Sequence, residues 1–305
     1  MKKLEYDLIR LCEIHDQGGS FSTRANRRNQ LVQMAQQLHA MGYRDLRASQ
    51  IGGRHVNRLI KLWHEQELSI GAMKNRMSSL RWWASKVGRA HVIARCNEHY
   101  EIPSRPRHTV SRAVELTNDL LQAIDGPFRE RIRVSLRLQR YLGMRTEESL
   151  KIRPAQAIER DENGIIVRVD LRGSWCKNGR PRSLLIRDER QREVLQDALL
   201  ITGRGSLIPS ALSYVDYLWK FHYRCRKVGL THRHGLRHRY AQERYLELTG
   251  SLPPNCEGPL ETWAVDDRAR TIISDELGHG RKNVTSAYLG PAVRYAKPKP
   301  EPQVG

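Results

Sequence analysis

Apolar and polar residues alternate at helical spacing through the first hundred positions of the chain. Short polar breaks divide this stretch into four predicted helices, at about 3–15, 22–41, 49–66 and 69–87. In the fourth, Met73, Met77, Leu80 and Ala84 recur every three to four residues, while most basic side chains fall on the other side. The pattern therefore predicts a helical bundle in which one face packs and another is basic.

The second part of the chain changes its period. Helical spacing is found over about 113–124, 128–142 and 146–152, and it returns over 189–201, 212–228, 234–248 and 266–277. In between, Asn163-Gly164 and Asn178-Gly179 are two-residue turn signals beside β-branched runs, which predict three antiparallel strands within about 156–187. A Gly- and Pro-rich stretch at 250–258 predicts a loop. The expected fold class is mainly α with a small antiparallel β-sheet.

A linker separates the two parts. The sequence IPSRPRHTVSR at 102–112 has two prolines, several basic residues and no apolar period, as an extended connection does. We expect an N-terminal helical domain at 1–104, a linker at 105–112, a C-terminal domain at 113–290 and a Pro-rich tail at 291–305.

The charge balance indicates a polyanionic partner. The 305 residues include 53 Lys and Arg against 33 Asp and Glu, a formal net charge of +20. This excess favours nucleic acid, ahead of an anionic membrane surface. There is no run of about 18 apolar residues and no signal-type apolar segment near the start, so we expect a cytoplasmic, nucleoid-associated protein without membrane contact.

The five cysteines lie far apart and form no Cys-x-x-Cys pair. Their spacing indicates neither a disulfide framework nor a zinc site. No other set of residues has metal-ligand spacing, so we expect no metal and no cofactor.

Two stretches of the N-terminal part, 17–44 and 69–97, contain no acidic residue but several basic ones. Acid-free helical segments are typical of a surface that faces phosphates, although a solvated basic face has the same composition. The DNA-binding residues expected here are Arg24, Arg27, Arg28, Lys74, Arg76, Arg81, Lys86 and Arg89.

Three short motifs in the C-terminal part concentrate Arg, His and Glu. The first motif is GMRTEE at 143–148, the second is THRHGLRH at 231–238, and the third is LGHG at 277–280, which Tyr288 follows nine residues after His279. The second motif opens a predicted helix, whose N-terminal amides favour an anion. Each motif alone is weak evidence of function, but their order is informative.

Together the motifs resemble the tyrosine recombinase, or phage integrase, family over about 113–290. The matching positions are Arg145 in GMRTEE, the His-x-x-Arg box in HGLRH, the LGH box and Tyr288, with Lys177 in CKNGRPR matching the family's sheet lysine. The N-terminal domain is similar to the family's core-binding domain in length and charge rather than in motif. The resemblance implies two domains that form a C-shaped clamp on duplex DNA.

The chemistry of these residues suits phosphodiester cleavage without a metal, which requires a nucleophile, cations and an acid. Tyr288 would attack phosphorus and keep a 3′-phosphotyrosine link, which conserves the bond energy for rejoining. Arg145 and Arg237 offer planar, permanently charged guanidinium groups to the non-bridging oxygens.

The remaining site residues have expected roles around that centre. His234 and His279 would donate hydrogen bonds or carry the tyrosine proton. Lys177, near a hairpin tip, would protonate the leaving 5′-oxygen, although a contact to a backbone phosphate is the alternative. Glu148, one helical turn from Arg145, would orient the first motif.

Other tyrosines compete for the role of nucleophile. Tyr240 and Tyr245 lie within the helix of the second motif, where packing is the simpler explanation, and Tyr295 lies sixteen residues beyond His279. Tyr288 is therefore the expected nucleophile. His232 and His238 are expected to be structural or to contact phosphate.

The function expected from the sequence is site-specific cleavage and rejoining of duplex DNA, as the integrase of a prophage or related mobile element. The resemblance implies a homotetramer on two DNA sites, with a DNA-bending accessory protein as a further partner. Two alternatives stay open: a type IB topoisomerase-like enzyme, and a catalytically inactive DNA-binding regulator. An RNA-binding protein is disfavoured because no aromatic-rich single-strand motif is present.

Overall fold

The computed structural model describes residues 2–15, 18–104, 110–176 and 179–292 of the chain. The chain divides into two compact units, residues 1–106 and 107–305. Within the described ranges, every helix is too short or too polar to cross a membrane.

In the described residues of the first unit, all regular structure is helical. Its four α-helices are α1 (Lys3–His15), α2 (Phe21–Ala40), α3 (Gly53–Glu65) and α4 (Ile70–Lys86). The side chains of Ser20 and Ser69 accept hydrogen bonds from the first turns of α2 and α4, which fixes where these helices begin. The helix predicted at 49–66 is divided, because a 3-10 turn at Ala48–Gln50 precedes α3.

The apolar stripes of these four helices face one another. Trp63, Trp83, Met77 and Leu59 are completely buried in a single core, together with apolar side chains of α1 and α2. Burial of these large side chains provides the main driving force for the bundle. The basic residues between them are left at or near the surface.

The second unit contains nine of the described α-helices. They are α5 (Asn118–Ala123), α6 (Arg129–Tyr141), α7 (Thr146–Lys151), α8 (Pro154–Ala157), α9 (Glu189–Thr202), α10 (Tyr214–Lys227), α11 (His234–Thr249), α12 (Trp263–Glu276) and α13 (Ser286–Leu289). One antiparallel sheet has the order β1 (Ile158–Arg160), β2 (Ile166–Leu171) and β3 (Arg182–Leu185). The expected fold class, mainly α with a small antiparallel sheet, is confirmed.

The two sheet connections differ from the predicted pair of two-residue turns. β1 and β2 are joined by residues 161–165, so the Asn163-Gly164 signal marks a slightly longer turn. The prediction for the second hairpin is wrong, because residues 172–181 separate β2 from β3 and include a 3-10 turn at Gly173–Trp175. Trp175 and Cys176 are buried in the core beneath the sheet, and this packing requires the longer connection.

The helix predicted at 113–124 begins late. Val114 donates its backbone N–H to the carbonyl of Gly235 at 3.1 Å, so the chain runs extended along the start of α11. The Thr117 side chain then accepts from the N–H of Leu120 and caps α5. A contact with a distant helix therefore overrides the local helical pattern here.

Candidate active site

α11 carries the second motif on the same face that packs into the protein. Arg237, His238, Ala241 and Tyr245 follow one another at helical spacing and are all buried. The helix therefore has one continuous inward face, apolar towards its carboxyl end and cationic at its amino end. His234 is the first residue of this helix.

Arg237 is the central cation of the site, and its side chain is only 1% exposed. Its guanidinium donates to two backbone carbonyls, those of Gly143 in the first motif and Leu277 in the third. Burial, the largest influence, lowers the pKa of Arg237 to about 10, so the side chain stays charged at neutral pH. One buried arginine thus joins all three sequence motifs.

Arg145 precedes α7 and is held by a carboxylate one turn further on. Glu148 accepts from the backbone N–H of Arg145 at 2.7 Å and from its Nη1 at 2.6 Å. The side chain of Arg145 is 22% exposed, so it stays partly accessible to solvent. Glu148 therefore holds Arg145 in place and leaves it accessible, and the orienting role expected for Glu148 in the reaction stays a prediction.

Arg182 on β3 is a site residue that the sequence reasoning did not select. Its Nη1 and Nη2 donate to the two carboxylate oxygens of Glu148 at 3.0 and 2.7 Å, and its Nε donates to the carbonyl of Glu276 at 2.8 Å. Strand alternation was the available signal, because Arg182 and Leu184 point inward while Ser183 and Leu185 are exposed.

Glu148 balances the charge of three arginines. Besides Arg145 and Arg182, its Oε2 lies 3.8 Å from Nη1 of Arg237. Burial alone would raise the pKa of this carboxyl, but hydrogen bonds and charge from Arg182, followed by the charges of Arg237 and Arg145, lower it to about 2. A buried carboxylate is thus kept ionised, and the cluster retains a net positive charge.

The third motif is the C-terminal cap of α12. The N–H of His279 donates to the carbonyl of Ser274 and that of Gly278 to Asp275, which is the hydrogen-bond pattern of a Schellman motif. Gly278 has a φ of +62°, a left-handed value that favours glycine. The arginines on the Glu276 and Leu277 carbonyls complete the cap, because cations are favoured at a helix carboxyl end. This cap fixes the position of His279.

His279 is held neutral by its surroundings. Burial lowers its pKa most, and the charges of Arg237, Arg145 and Arg182 lower it further, to about 3. Nη2 of Arg237 donates towards Nε2 of His279 at 3.2 Å, so the ring proton resides on Nδ1. That Nδ1 is buried and has no hydrogen-bond acceptor among the described residues. His279 is therefore a neutral hydrogen-bond donor and not a reservoir of protons at neutral pH.

Tyr288 lies inside this cationic cluster. Its hydroxyl is 3.0 Å from Nε2 of His234 and 3.4 Å from Nε of Arg237. Its ring packs among imidazoles, with centroids 4.5 Å from His238 and 5.2 Å from His279. The phenol donates to His234 in the tautomer that leaves Nε2 unprotonated. His238, expected to be structural or to contact phosphate, packs against this ring.

The competing tyrosines make different contacts. The hydroxyl of Tyr240 donates to Glu276 at 2.8 Å and that of Tyr245 donates to Asp266 at 2.9 Å. Burial and these carboxylates raise the pKa of both phenols above the ordinary value. Both side chains are therefore suited to packing rather than to nucleophilic attack. Tyr295 lies outside the described residues.

Lys177 also lies outside the described residues, so its position relative to the other side chains stays a prediction. Its neighbour Cys176 is buried, with Sγ 3.7 Å from Nη1 of Arg182. The chain entering Lys177 is therefore next to the cluster of Glu148 and Arg182. No group of three or more potential metal ligands is present in the part of the chain that the structure describes.

The basic residues expected to bind DNA in the first unit differ in their surroundings. Three have guanidinium groups engaged within the unit: Arg81 donates twice to the carbonyl of Ala94, Arg89 donates to Ser49, and Arg76 donates to Gln33. Burial lowers the pKa of Arg76. Arg28 and Lys86 are exposed. The expected DNA-binding residues therefore differ in whether their charged groups are bound within the unit or exposed to solvent.

The remaining expected DNA-binding residues, Arg24, Arg27 and Lys74, are partly buried. The guanidinium of Arg27 lies 4.5 Å from the ring centroid of Trp82. Such a cation–π contact orients a side chain and keeps its charge. Arg27 can therefore support the packing of Trp82 and at the same time present a positive charge.

Two family models match the sequence of the chain. One, described as the N-terminal domain of phage integrase, matches residues 1–93, and another, described as integrase, matches residues 109–243. The second match includes Arg145, Glu148 and Arg237 but ends before His279 and Tyr288. A comparison with curated proteins by sequence gives no match.

Solved structures share the fold at low sequence identity. The lambda integrase dimer bound to a COC′ core site has a TM-score of 0.60 at 17% identity, over 97% of this chain and 80% of the lambda chain. The Tn1549 transposon integrase in complex with transposon right end DNA has a TM-score of 0.57 at 14% identity, over 94% of this chain and 96% of the Tn1549 chain. A lambda integrase tetramer bound to a Holliday junction has a TM-score of 0.55 at 16% identity, over 91% of this chain and 77% of the lambda chain.

Both units thus match integrase models, and the whole chain has an integrase fold. The chain belongs to the phage integrase family of tyrosine recombinases, which are site-specific recombinases. The family, the fold class and the class of enzyme expected from the sequence are confirmed.

Proposed function

We propose that the chain cleaves and rejoins duplex DNA at specific sites through a 3′-phosphotyrosine link on Tyr288, as the integrase of a prophage or related mobile element. The observation that supports this most strongly is the position of the Tyr288 hydroxyl, 3.0 Å from His234 and 3.4 Å from the buried Arg237. A phenol between an imidazole and a fixed cation has both a proton acceptor and a group that stabilises its anion.

In the cleavage step, the Tyr288 oxygen forms a bond to phosphorus while the bond from phosphorus to the 5′-oxygen breaks. The phenolic proton passes to Nε2 of His234, which is within direct hydrogen-bond reach. His279 is a poor acceptor for this proton, because its pKa is lowered to about 3. Rejoining reverses the step, since the 5′-hydroxyl attacks the phosphotyrosine and the phenol leaves.

The arginines stabilise the negative charge that develops on the non-bridging oxygens. Arg145 is fixed by Glu148 and remains partly exposed, so it is ready to bind phosphate before DNA arrives. Such pre-arranged cations need no reorganisation during the reaction. We propose that His279 is a further hydrogen-bond donor to the same phosphate, through an Nδ1 that is buried in the free chain and that DNA binding would have to expose.

The departing 5′-oxygen needs a proton, and Lys177 is the residue proposed to supply it. Its place in the sequence, directly after the buried Cys176, brings the chain close to Glu148 and Arg182. A flexible ammonium group on such a connection is suited to enter a groove of bound DNA and reach the scissile position.

Duplex DNA is the proposed substrate and partner. The net charge of +20 favours binding to phosphates, and the integrases with the same fold have been solved on DNA. We propose a homotetramer on two sites, as the lambda integrase tetramer is bound to a Holliday junction. An accessory protein that bends the DNA would assist assembly.

A covalent trapping experiment tests this proposal. Protein is incubated with a nicked suicide site, taken from the junctions of the element that encodes the chain, and the products are separated on a denaturing gel. We expect an adduct with the parent and with Tyr240→Phe, none with Tyr288→Phe, and no loss of adduct in excess chelator. Adduct formation by Tyr288→Phe at the parent level would overturn the proposal.

Recombination of two such sites on separate DNA molecules distinguishes the alternatives. A type IB topoisomerase-like enzyme would form the adduct and relax supercoils without joining the two sites. An inactive regulator would bind without any adduct. The proposed function requires both the adduct and recombinant products.

A further inference from the structure

The backbone carbonyl of Tyr288 is held by two buried side-chain amides. Nδ2 of Asn255 donates to this oxygen at 2.8 Å and Nε2 of Gln242 donates to it at 3.1 Å. Asn255 is 5% exposed and Gln242 is 3% exposed. Buried amides with fixed partners lose their freedom to rotate, so the two donors define where the carbonyl can lie.

The two amides come from different elements. Gln242 is on α11, two helical turns beyond His234, whereas Asn255 is in a 3-10 turn of the loop between α11 and α12. The hydrogen bond from Asn255 therefore connects this loop to the Tyr288 backbone. Gln242 connects the Tyr288 backbone to the helix that carries His234 and Arg237.

The helix that carries Tyr288 cannot position it unaided. α13 contains only four residues, and so short a helix has too few internal hydrogen bonds to be stable alone. The chain then turns at Gly290, whose φ is +83°, and a Cβ atom there would lie 2.9 Å from the backbone N of Asn255. The loop and the end of α13 are thus in close contact.

A third buried side chain holds the residues after this turn. Arg270 donates to the carbonyls of Gly290 and Pro291 at 3.2 and 3.1 Å, and Asp266 balances its charge at 2.8 Å. The carbonyl groups at and beyond the end of α13 are therefore fixed by side chains from α11, α12 and the intervening loop. This is an arrangement that determines position rather than merely filling space.

We propose that Asn255 and Gln242 are positioning residues for the nucleophile: by holding the Tyr288 carbonyl they set the distance of its hydroxyl from His234 and from the bound phosphate. The inference deepens the proposed function and rests on it. Neither amide touches the reacting atoms, so neither is a catalytic residue. Loss of either should slow attack by Tyr288 and leave phosphate activation intact.

The first test separates the rate of cleavage from binding. In single-turnover cleavage of a suicide site, Asn255→Ala and Gln242→Ala should lower the maximal rate by ~10- to 100-fold, because a small displacement of a reacting group has effects of this size. The protein concentration at half-maximal rate should stay within about twofold, as expected for an interaction lost only in the reaction. Gln191→Ala is the matched control, since Gln191 is a buried amide that donates to the carbonyl of Tyr141 instead.

The second test bypasses the nucleophile. In a Tyr288→Ala background, hydrogen peroxide is supplied to attack the phosphate in place of the phenol. Adding Asn255→Ala to this background should leave the peroxide-dependent rate unchanged, because the phosphate-binding groups are intact. Asn255→Asp, which keeps the size of the side chain and removes the donor, should reproduce the result of Asn255→Ala if the latter folds poorly.

The outcomes are distinct. Parent-like maximal rates in both amide variants, or a parallel loss of DNA binding, would overturn the inference, and so would a parallel loss of peroxide-dependent cleavage. An adduct formed without the Tyr288 phenol would instead overturn the proposed function.

Discussion

Arg182 and Glu148 form a buried ion pair with two parallel hydrogen bonds, at 2.7 Å between Nη2 and Oε2 and 3.0 Å between Nη1 and Oε1. The side chains are 4% and 0% exposed. The pair joins strand β3 to the first motif, and the same arginine donates to the carbonyl of Glu276, the residue directly before the third motif. One strand residue therefore sets the relative positions of Arg145 and His279.

Removing one partner of this pair should be costly. Arg182→Leu leaves Glu148 with a weaker cationic environment, and we expect the free energy of unfolding to fall by about 3–5 kcal/mol, as for other broken buried pairs. Urea denaturation measures the change. Arg190→Leu, which removes an exposed partner of Asp188, is the control and should cost about 1 kcal/mol or less. Equal effects of the two substitutions would contradict the role given to Arg182.

The stability of the second unit should depend on pH through His279. Its folded pKa is lowered to about 3 from an ordinary 6.5, so between these values the unfolded chain binds more protons than the folded chain. Stability therefore falls as the pH decreases below about 6.5. His279→Gln should flatten the dependence of the unfolding free energy on pH between 7 and 5. A slope identical to that of the parent would show that His279 titrates normally.

Glu148 should act in a lower pH range. Its pKa is about 2 in the folded chain against an ordinary 4.5, so its contribution to stability is present above 4.5 and is lost as the pH falls towards 2. The pH ranges of the two groups overlap between about 3 and 4.5, but of the two only His279 contributes to the pH dependence between 7 and 5, so the His279 variant is compared with the parent in that range.

The basic residues of the first unit should separate into two classes. Lys86 is exposed, and Lys86→Gln should lower the slope of log affinity for DNA against log salt by about 0.9 if it contacts one phosphate. Arg81 donates twice to the carbonyl of Ala94, so Arg81→Gln should lower the free energy of unfolding by about 1–2 kcal/mol. An unchanged salt slope for Lys86→Gln would place that side chain away from DNA.

The proposed role of Lys177, protonation of the leaving 5′-oxygen, can be tested by a chemical substitution in the DNA. A thiolate leaves without protonation, because a thiol ionises near pH 8.5, whereas an alkoxide requires a proton. Lys177→Ala should therefore cleave ordinary DNA slowly and recover on DNA with sulfur at the scissile 5′-bridging position. Arg145→Ala should not recover, since its task is charge on the non-bridging oxygens. Equal impairment of Lys177→Ala on both substrates would assign the lysine to phosphate binding.

The regular elements were predictable where the signal is local. The helix predicted at 3–15 coincides with α1, and the turn signal at Asn163-Gly164 lies between β1 and β2. Both features follow from spacing within a few residues. The sequence order of the three motifs likewise brought Arg237, His279 and Tyr288 into one expected site, and the structure places them together.

The features that were missed depend on distant partners. Strand alternation places Arg182 on the inward face of β3, but only its pairing with Glu148, 34 positions earlier, explains why an arginine is buried there. Asn255 lies in a stretch that composition identifies as a loop, with nothing to indicate a contact to Tyr288. The late start of α5 has the same origin, because a backbone hydrogen bond to Gly235 decides it. The partners in these contacts lie far apart in the chain, so no local pattern in the sequence identifies which residues pair.

The most direct measurement of the central claim is the identity of the residue joined to DNA. The trapped adduct is digested with nuclease and trypsin and analysed by mass spectrometry. We expect a nucleotide linked through its 3′-phosphate to Tyr288, in the peptide Asn283–Arg294 that follows Lys282. A nucleotide on Tyr240, Tyr245 or Tyr295, or a link through a 5′-phosphate, would contradict it.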